Sequence, residues 1–96
     1  MPGFRELLAQ TKKNIHEVDP AEAEARLDDA TFLDVRELDE YEQGTVPDSV
    51  FIPRGHLESQ VENKVSKDKP VVVYCAAGNR SAFAAETMQE LGYTDV

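Results

Sequence analysis

An α/β fold, a mainly parallel sheet with helices on both faces, is predicted by three features of the sequence. Short β-branched apolar runs alternate with helical segments, the pattern of strand–helix–strand units. The run Val71-Val72-Val73-Tyr74 is apolar at four consecutive positions, which suits a strand covered by helices on both sides. A length of 96 residues holds one domain with one modest core.

The elements follow in order. Phe4, Leu7, Leu8, Thr11 and Ile15 recur at helical spacing, with Arg5, Glu6, Lys12 and Lys13 elsewhere around the wheel. An extended stretch from Asn14 to Val18 comes next. Asp19-Pro20-Ala21-Glu22 starts a helix: Asp19 caps the free amides, Pro20 suits the first helical position, and Glu22 reaches back. Ala21, Ala25 and Leu27 are its expected inner residues. Thr31 to Val35 is a strand, and Glu37 to Gln43 a short acidic helix ended by Gly44. Pro47 and Asp48 make a turn. Ser49 to Ile52 is a second strand, stopped by Pro53. His56 to Lys64 is a helix with Leu57 and Val61 inward, and Lys67 to Pro70 a turn before the strand Val71–Tyr74. Arg80 to Leu91 is a helix ended by Gly92, its apolar surface supplied by Ala82, Phe83, Ala84, Ala85 and Met88. Thr94 to Val96 begins another strand.

Composition narrows the function. A net charge of -9 argues against non-specific binding to nucleic acid or to an anionic membrane, which need surplus positive charge. No apolar run approaches the ~18 residues of a membrane span. The start, MPGFRELLAQTKKN, lacks the apolar stretch of a signal peptide, so a cytoplasmic location is expected. Cys75 is the one cysteine. It has no partner for an internal disulfide and no second thiol with which to build a zinc site. Phosphate-loop and dinucleotide glycine patterns are absent. Asp39, Glu40 and Glu42 read as an exposed acidic helix face rather than a metal site. Neither a cofactor nor a metal is expected.

The chemistry should lie beyond the carboxyl ends of the strands, where open α/β sheets bind ligands. The strand Val71–Tyr74 runs directly into Cys75-Ala76-Ala77-Gly78-Asn79-Arg80-Ser81, where a helix begins. Small residues and Gly78 let the backbone curl around Cys75, and free amides at the helix start point into that curl. Such a ring of N–H groups stabilises an anion, including a thiolate. A lone cysteine is often buried and inert. Here the strand–loop–helix setting, and an arginine where a cation opposes the helix dipole, favour chemistry instead. Arg54 also follows a strand, as a candidate substrate contact. His56 and His16 read as surface and structural residues.

At this point the sequence resembles the rhodanese (sulfurtransferase) family. CAAGNRS is similar to that family's active-site loop, a cysteine, four intervening residues and an arginine. Asp34-Val35-Arg36-Glu37 resembles its Asp-x-Arg motif, Tyr41 to Pro47 its Gly-His-Ile-Pro segment, and Ile52-Pro53-Arg54-Gly55 its Asn-Ile-Pro segment. The similarity runs from about Ile15 to Val96. Thr45 stands where the family usually has His, and Asp48 where Gly is common.

The resemblance implies a sulfurtransferase. Cys75 would accept a sulfane sulfur as a persulfide from an anionic donor such as thiosulfate and pass it to a thiophilic acceptor, a thiol or cyanide. Arg80 would hold the donor, and Ala76, Ala77, Gly78, Asn79 and Ser81 would line its site together with Arg54. Asp34 and Arg36 would support the loop structurally. A persulfide carrier or binding module serving a sulfur-relay protein is the alternative. A Cys-dependent phosphatase is the other, disfavoured because its loop needs one residue more than the six from Cys75 to Arg80. Family members continue past a Thr-Asp-Val-like strand start into a strand and a helix. Residues 1–96 are therefore expected to be one rhodanese-like domain lacking its C-terminal strand and helix.

Overall fold

Three parallel strands in the order β2-β1-β3 form the sheet in the computed structural model, which describes residues 3–96. The central strand β1 (Thr31–Asp34) pairs Leu33 with Val50 of β2 (Val50–Phe51) and with Val73 of β3 (Val71–Tyr74). Side chains alternate between faces along each strand. Leu33, Val71 and Val73 therefore share one face, with Val35 and Ile52 just beyond the strand ends. They pack on Leu57 and Val61 of α4 (Leu57–Lys64) and on Ala84 and Met88 of α5 (Asn79–Glu90), and this is the core. Phe32, Asp34, Phe51 and Tyr74 take the opposite face, where Tyr41 of α3 (Leu38–Glu42) stacks on Phe51 with ring centroids 4.4 Å apart. The sheet is thus parallel and flanked by helices on both faces, as the alternation of elements predicts.

The N-terminal helix α1 (Phe4–Lys13) packs on α5: Thr11 Oγ1 donates to Glu86 at 3.1 Å, and Asn14 donates to the same carboxylate at 3.2 Å. The helix α2 (Pro20–Glu24) starts as its sequence dictates. Asp19 accepts from the Glu22 amide at 2.8 Å, and Glu22 accepts from the Asp19 amide at 3.3 Å. Its inner residues need correction. The helix has only five residues, and Ala23 and Arg26 turn inward, leaving Ala21, Ala25 and Leu27 exposed. β2 is shorter than the apolar run, although the Ile52 and Arg54 amides still donate to Asp34 and Val35 carbonyls. Arg54–His56 form a 3-10 turn, so α4 begins one residue later than expected.

Two segments expected to be extended add no strand among the described residues. The chain from Asn14 to Val18 makes no ladder, and Thr94 to Val96 contributes one sheet-like bond, from the Val71 amide to the Asp95 carbonyl at 2.9 Å. Both line an apolar cavity of about 810 Å³ along the outer edge of β3, with Leu27, Phe32 and Val72. Leu27 is exposed because it borders this opening.

Tyr93 closes the far end of the core. Its ring is buried, and its hydroxyl lies 2.6 Å from the Val65 carbonyl and 3.1 Å from the Val61 carbonyl, at the end of α4. Tyr93→Phe keeps the ring and strips a buried carbonyl of its partner. We expect a loss of about 1–3 kcal/mol. Urea unfolding should read this as a lower midpoint at unchanged slope.

Candidate active site

The carboxyl end of β1 is organised by a buried carboxylate. Asp34 is fully buried, and Arg36 grips it through Nε at 3.0 Å and Nη2 at 2.8 Å while donating its own amide at 3.0 Å. Thr45 Oγ1 and the Tyr74 hydroxyl donate at 3.0 and 3.1 Å to Oδ2, the oxygen that Arg36 Nη2 also reaches. Burial alone would raise the Asp34 pKa. The hydrogen bonds from Arg36 and Thr45 outweigh it and hold the carboxyl below its ordinary range. Arg36 also donates to the Gly44 carbonyl at 2.6 Å, which ties down the segment after α3.

Tyr74 of this cluster immediately precedes Cys75. The Cys75 sulfur is half-buried, and the amides of Gly78 and Ser81 point at it from 3.1 and 3.3 Å. Ser81 Oγ lies 3.4 Å from the sulfur and donates to the Gly78 carbonyl when the thiol is protonated. The curl depends on Gly78, whose φ of +87° is a left-handed conformation open to glycine and costly for residues with a Cβ. It places the first free amides of α5 over the sulfur. Burial pushes the thiol pKa up. The Ser81 hydroxyl and the amides of Ser81, Gly78 and Ala77 push it down, and the balance is a lowered pKa.

The structure places the other candidates unevenly. Ala76 and Ala77 form the exposed rim of the loop, and Asn79 opens α5. Arg80 is beside the loop, yet its guanidinium is taken up by Glu40 of α3. Nη1 donates at 2.7 Å to one carboxylate oxygen and Nη2 at 3.0 Å to the other. The pairing drives Glu40 down to about 2 and Arg80 further up. Arg54 is not brought to the sulfur. The 3-10 turn sends its side chain along α4 and α5, to Glu58 at 3.0 Å and Thr87 at 3.3 Å.

Two residues at the site escape a sequence reading. Glu40 belongs to a run that reads as a solvated helix face. A signal was present: Glu40 lies three residues after the helix-capping position, where a carboxylate turns back, and its Oε1 accepts from the Glu37 amide at 3.0 Å. Thr45, noted in the sequence only as standing where the family usually has His, joins the Asp34 cluster. It borders a shallow groove of about 470 Å³ with Arg36, Tyr74, Cys75 and Ala76. Cys75 therefore separates this groove from the apolar cavity, which also reaches Ala77, Gly78 and Ser81.

A family model described as "Rhodanese-like domain" matches residues 19–96. The protein named "Putative sulfur carrier protein YrkF" from Bacillus subtilis is 39% identical over 64 residues, 67% of this chain and 34% of that protein. The chain likewise spans 52% and 54% of two further relatives. The thiosulfate sulfurtransferase GlpE from Pseudomonas savastanoi is 35% identical over 80 residues, 82% of this chain and 74% of that protein. A solved structure from Rhodopseudomonas palustris, of a protein of unknown function described as a possible tyrosine phosphatase, superposes with a TM-score of 0.87. It is 32% identical, and the match covers 99% of this chain and 81% of that one.

The amide ring makes the thiol acidic by a route that can be measured. The rate of Cys75 alkylation by iodoacetamide should rise with pH to a midpoint below about 8.5, the value of a free cysteine. Ser81→Ala removes the hydroxyl and leaves the amides, so its midpoint should move up toward that value. An unchanged midpoint would remove Ser81 from the account.

Proposed function

The chain belongs to the rhodanese-like domain family, and on that premise we propose that it is a sulfurtransferase working through a persulfide on Cys75. Sulfurtransferases among its relatives support a general sulfur-transfer role. The observation that carries the mechanism is the convergence of the Gly78 and Ser81 amides on the Cys75 sulfur, at 3.1 and 3.3 Å. The thiolate attacks the outer sulfur of thiosulfate. The new S–S bond forms as the old one breaks, and sulfite departs with the bonding pair. The persulfide keeps its negative charge within the amide ring. A thiolate or cyanide then attacks the terminal sulfur, takes it as a persulfide or thiocyanate, and returns Cys75 as thiolate. Two half-reactions sharing one covalent intermediate give ping-pong kinetics.

The same chemistry suits a carrier that hands its sulfur to a partner protein, a reading favoured by the relative named as a sulfur carrier. Phosphoryl transfer suits the loop less well. The amides that reach the sulfur, those of Gly78 and Ser81, aim at that one atom, whereas a phosphoryl group needs donors spread around three equatorial oxygens.

Intact-mass measurement tests the reading. The chain treated with thiosulfate should gain one sulfur atom, then lose it on addition of a thiol or cyanide. Cys75→Ser should stay folded and gain none. A sulfur-loaded Cys75→Ser, or hydrolysis of an aryl phosphate as fast as sulfur transfer, would overturn the mechanism.

A further inference from the structure

Every arginine at the carboxyl end of the sheet already has a carboxylate of its own. Arg36 is held by Asp34 with a shortest contact of 2.8 Å, Arg54 by Glu58 at 3.0 Å, and Arg80 by Glu40 at 2.7 Å. Among the described residues none of the three is left to meet an incoming anion uncompensated. Arg80 meets Glu40 through two parallel hydrogen bonds, the strongest geometry open to a guanidinium and a carboxylate, as Arg36 does with Asp34. Both partners are about one-third exposed, so the pair sits at the mouth of the loop rather than beneath it. The rest of the molecule adds to the negative field, with a net charge of -9.

The amide ring is a different kind of anion site. Its donors are fixed backbone groups aimed at one atom, the sulfur. It can hold the single charge of a thiolate or persulfide, and it leaves any further charge on a donor to face the mouth. A thiosulfate dianion would bring its sulfonate toward Arg80 and meet Glu40 there. It must displace that carboxylate or share the guanidinium with it.

Resting on the reading of Cys75 as the sulfur-accepting group, we infer that Glu40 determines donor specificity. By occupying Arg80 it selects sulfane-sulfur donors carrying one negative charge or none, such as hydropersulfides, over dianions such as thiosulfate. With a hydropersulfide the balance closes without any further reactant. The Cys75 thiolate attacks the outer sulfur of R–S–SH, the S–S bond breaks, and R–S⁻ leaves while Cys75 holds –S–SH. Glu40 is a positioning and selectivity residue. It touches Arg80 and not the sulfur, and it stays ionised throughout the range in which the chain is handled, since its pKa lies at about 2.

A pair of probes of nearly equal size but different charge isolates this effect. Cys75 is alkylated by iodoacetate, an anion, and by iodoacetamide, which is neutral. The thiolate fraction cancels in the ratio of the two rates. At low ionic strength, Glu40→Gln keeps a hydrogen-bond acceptor on Arg80 and removes the charge. The iodoacetate-to-iodoacetamide ratio should rise roughly five-fold, the scale of one screened charge near a surface site. Arg80→Gln should move the ratio the other way, and it carries the test where Glu40→Gln fails to fold. In sulfur transfer, Glu40→Gln should raise kcat/KM for thiosulfate relative to methanethiosulfonate, a monoanionic donor of the same sulfur, through a lower KM. An alkylation ratio that stays constant in both variants overturns the inference. So does an equal loss with both donors, which is what a purely structural Glu40 would give. A shifted alkylation ratio without sulfur uptake from either donor would leave Glu40 as the charge gate and defeat the sulfur-transfer reading alone.

Discussion

The Asp34 carboxylate is the constraint on which the rest of this structure depends. It lies at the carboxyl end of the central strand, without solvent contact, and an isolated charge there would be untenable. Arg36, Thr45 and Tyr74 all turn toward it. In doing so they tie together three pieces of chain: the exit of β1, the last residue of β3, which is paired with Asp34 in the ladder, and the segment after α3, which belongs to no strand. Cys75 follows Tyr74 directly. The direction in which the chain leaves β3, and with it the position of the sulfur, is set one residue earlier by a hydrogen bond to a buried acid. Breaking one partner of such a cluster costs more than the cluster contributes, because the survivor is left charged and dry.

From that anchor two independent devices reach the site. The first is the turn at Gly78, which brings the α5 amides over the sulfur. Backbone donors cannot drift away or be screened as a mobile side chain can, so the thiolate is stabilised by groups that need no reorganisation when charge appears. The second is α3, which carries Glu40 to Arg80. Arg36 donates to the Gly44 carbonyl just past α3, so the buried acid also holds the element that presents the exposed one.

Much of this was legible in the sequence, and the limits are physical. The strands, the capping of α2 by Asp19 and the strand–loop–helix at Cys75 are local, carried by residues a few positions apart. Arg80 and Arg54 look alike in sequence, since both follow a strand. Their fates differ because one meets Glu40, forty positions away, and the other winds into α4 beside Glu58. Glu40 and Thr45 were missed for the same reason: their partners are set by topology, not by spacing. Ala21, Ala25 and Leu27 were misplaced because periodicity over five residues cannot say which side faces the sheet. Leu27 is further misleading, as it borders the open edge of β3, where an apolar side chain finds only one wall.

The separation of the two devices has a chemical consequence. On the proposed mechanism, a persulfide would leave the thiolate's charge one atom farther out, still within reach of fixed amides, so the ring would serve both half-reactions without rearranging. Selection among donors cannot come from such a ring, because it recognises an anionic sulfur and nothing attached to it. On the same mechanism, discrimination would come from groups that meet the remainder of the donor, and the candidates beside the sulfur lie on α3 and on the segment from Gly44 to Val46. Replacing residues there can change which molecules deliver sulfur without disturbing the sulfur's own environment. On the proposed mechanism, the loop that would transfer sulfur and the mouth that would choose its source are two parts of the fold, joined through the acid at the end of β1.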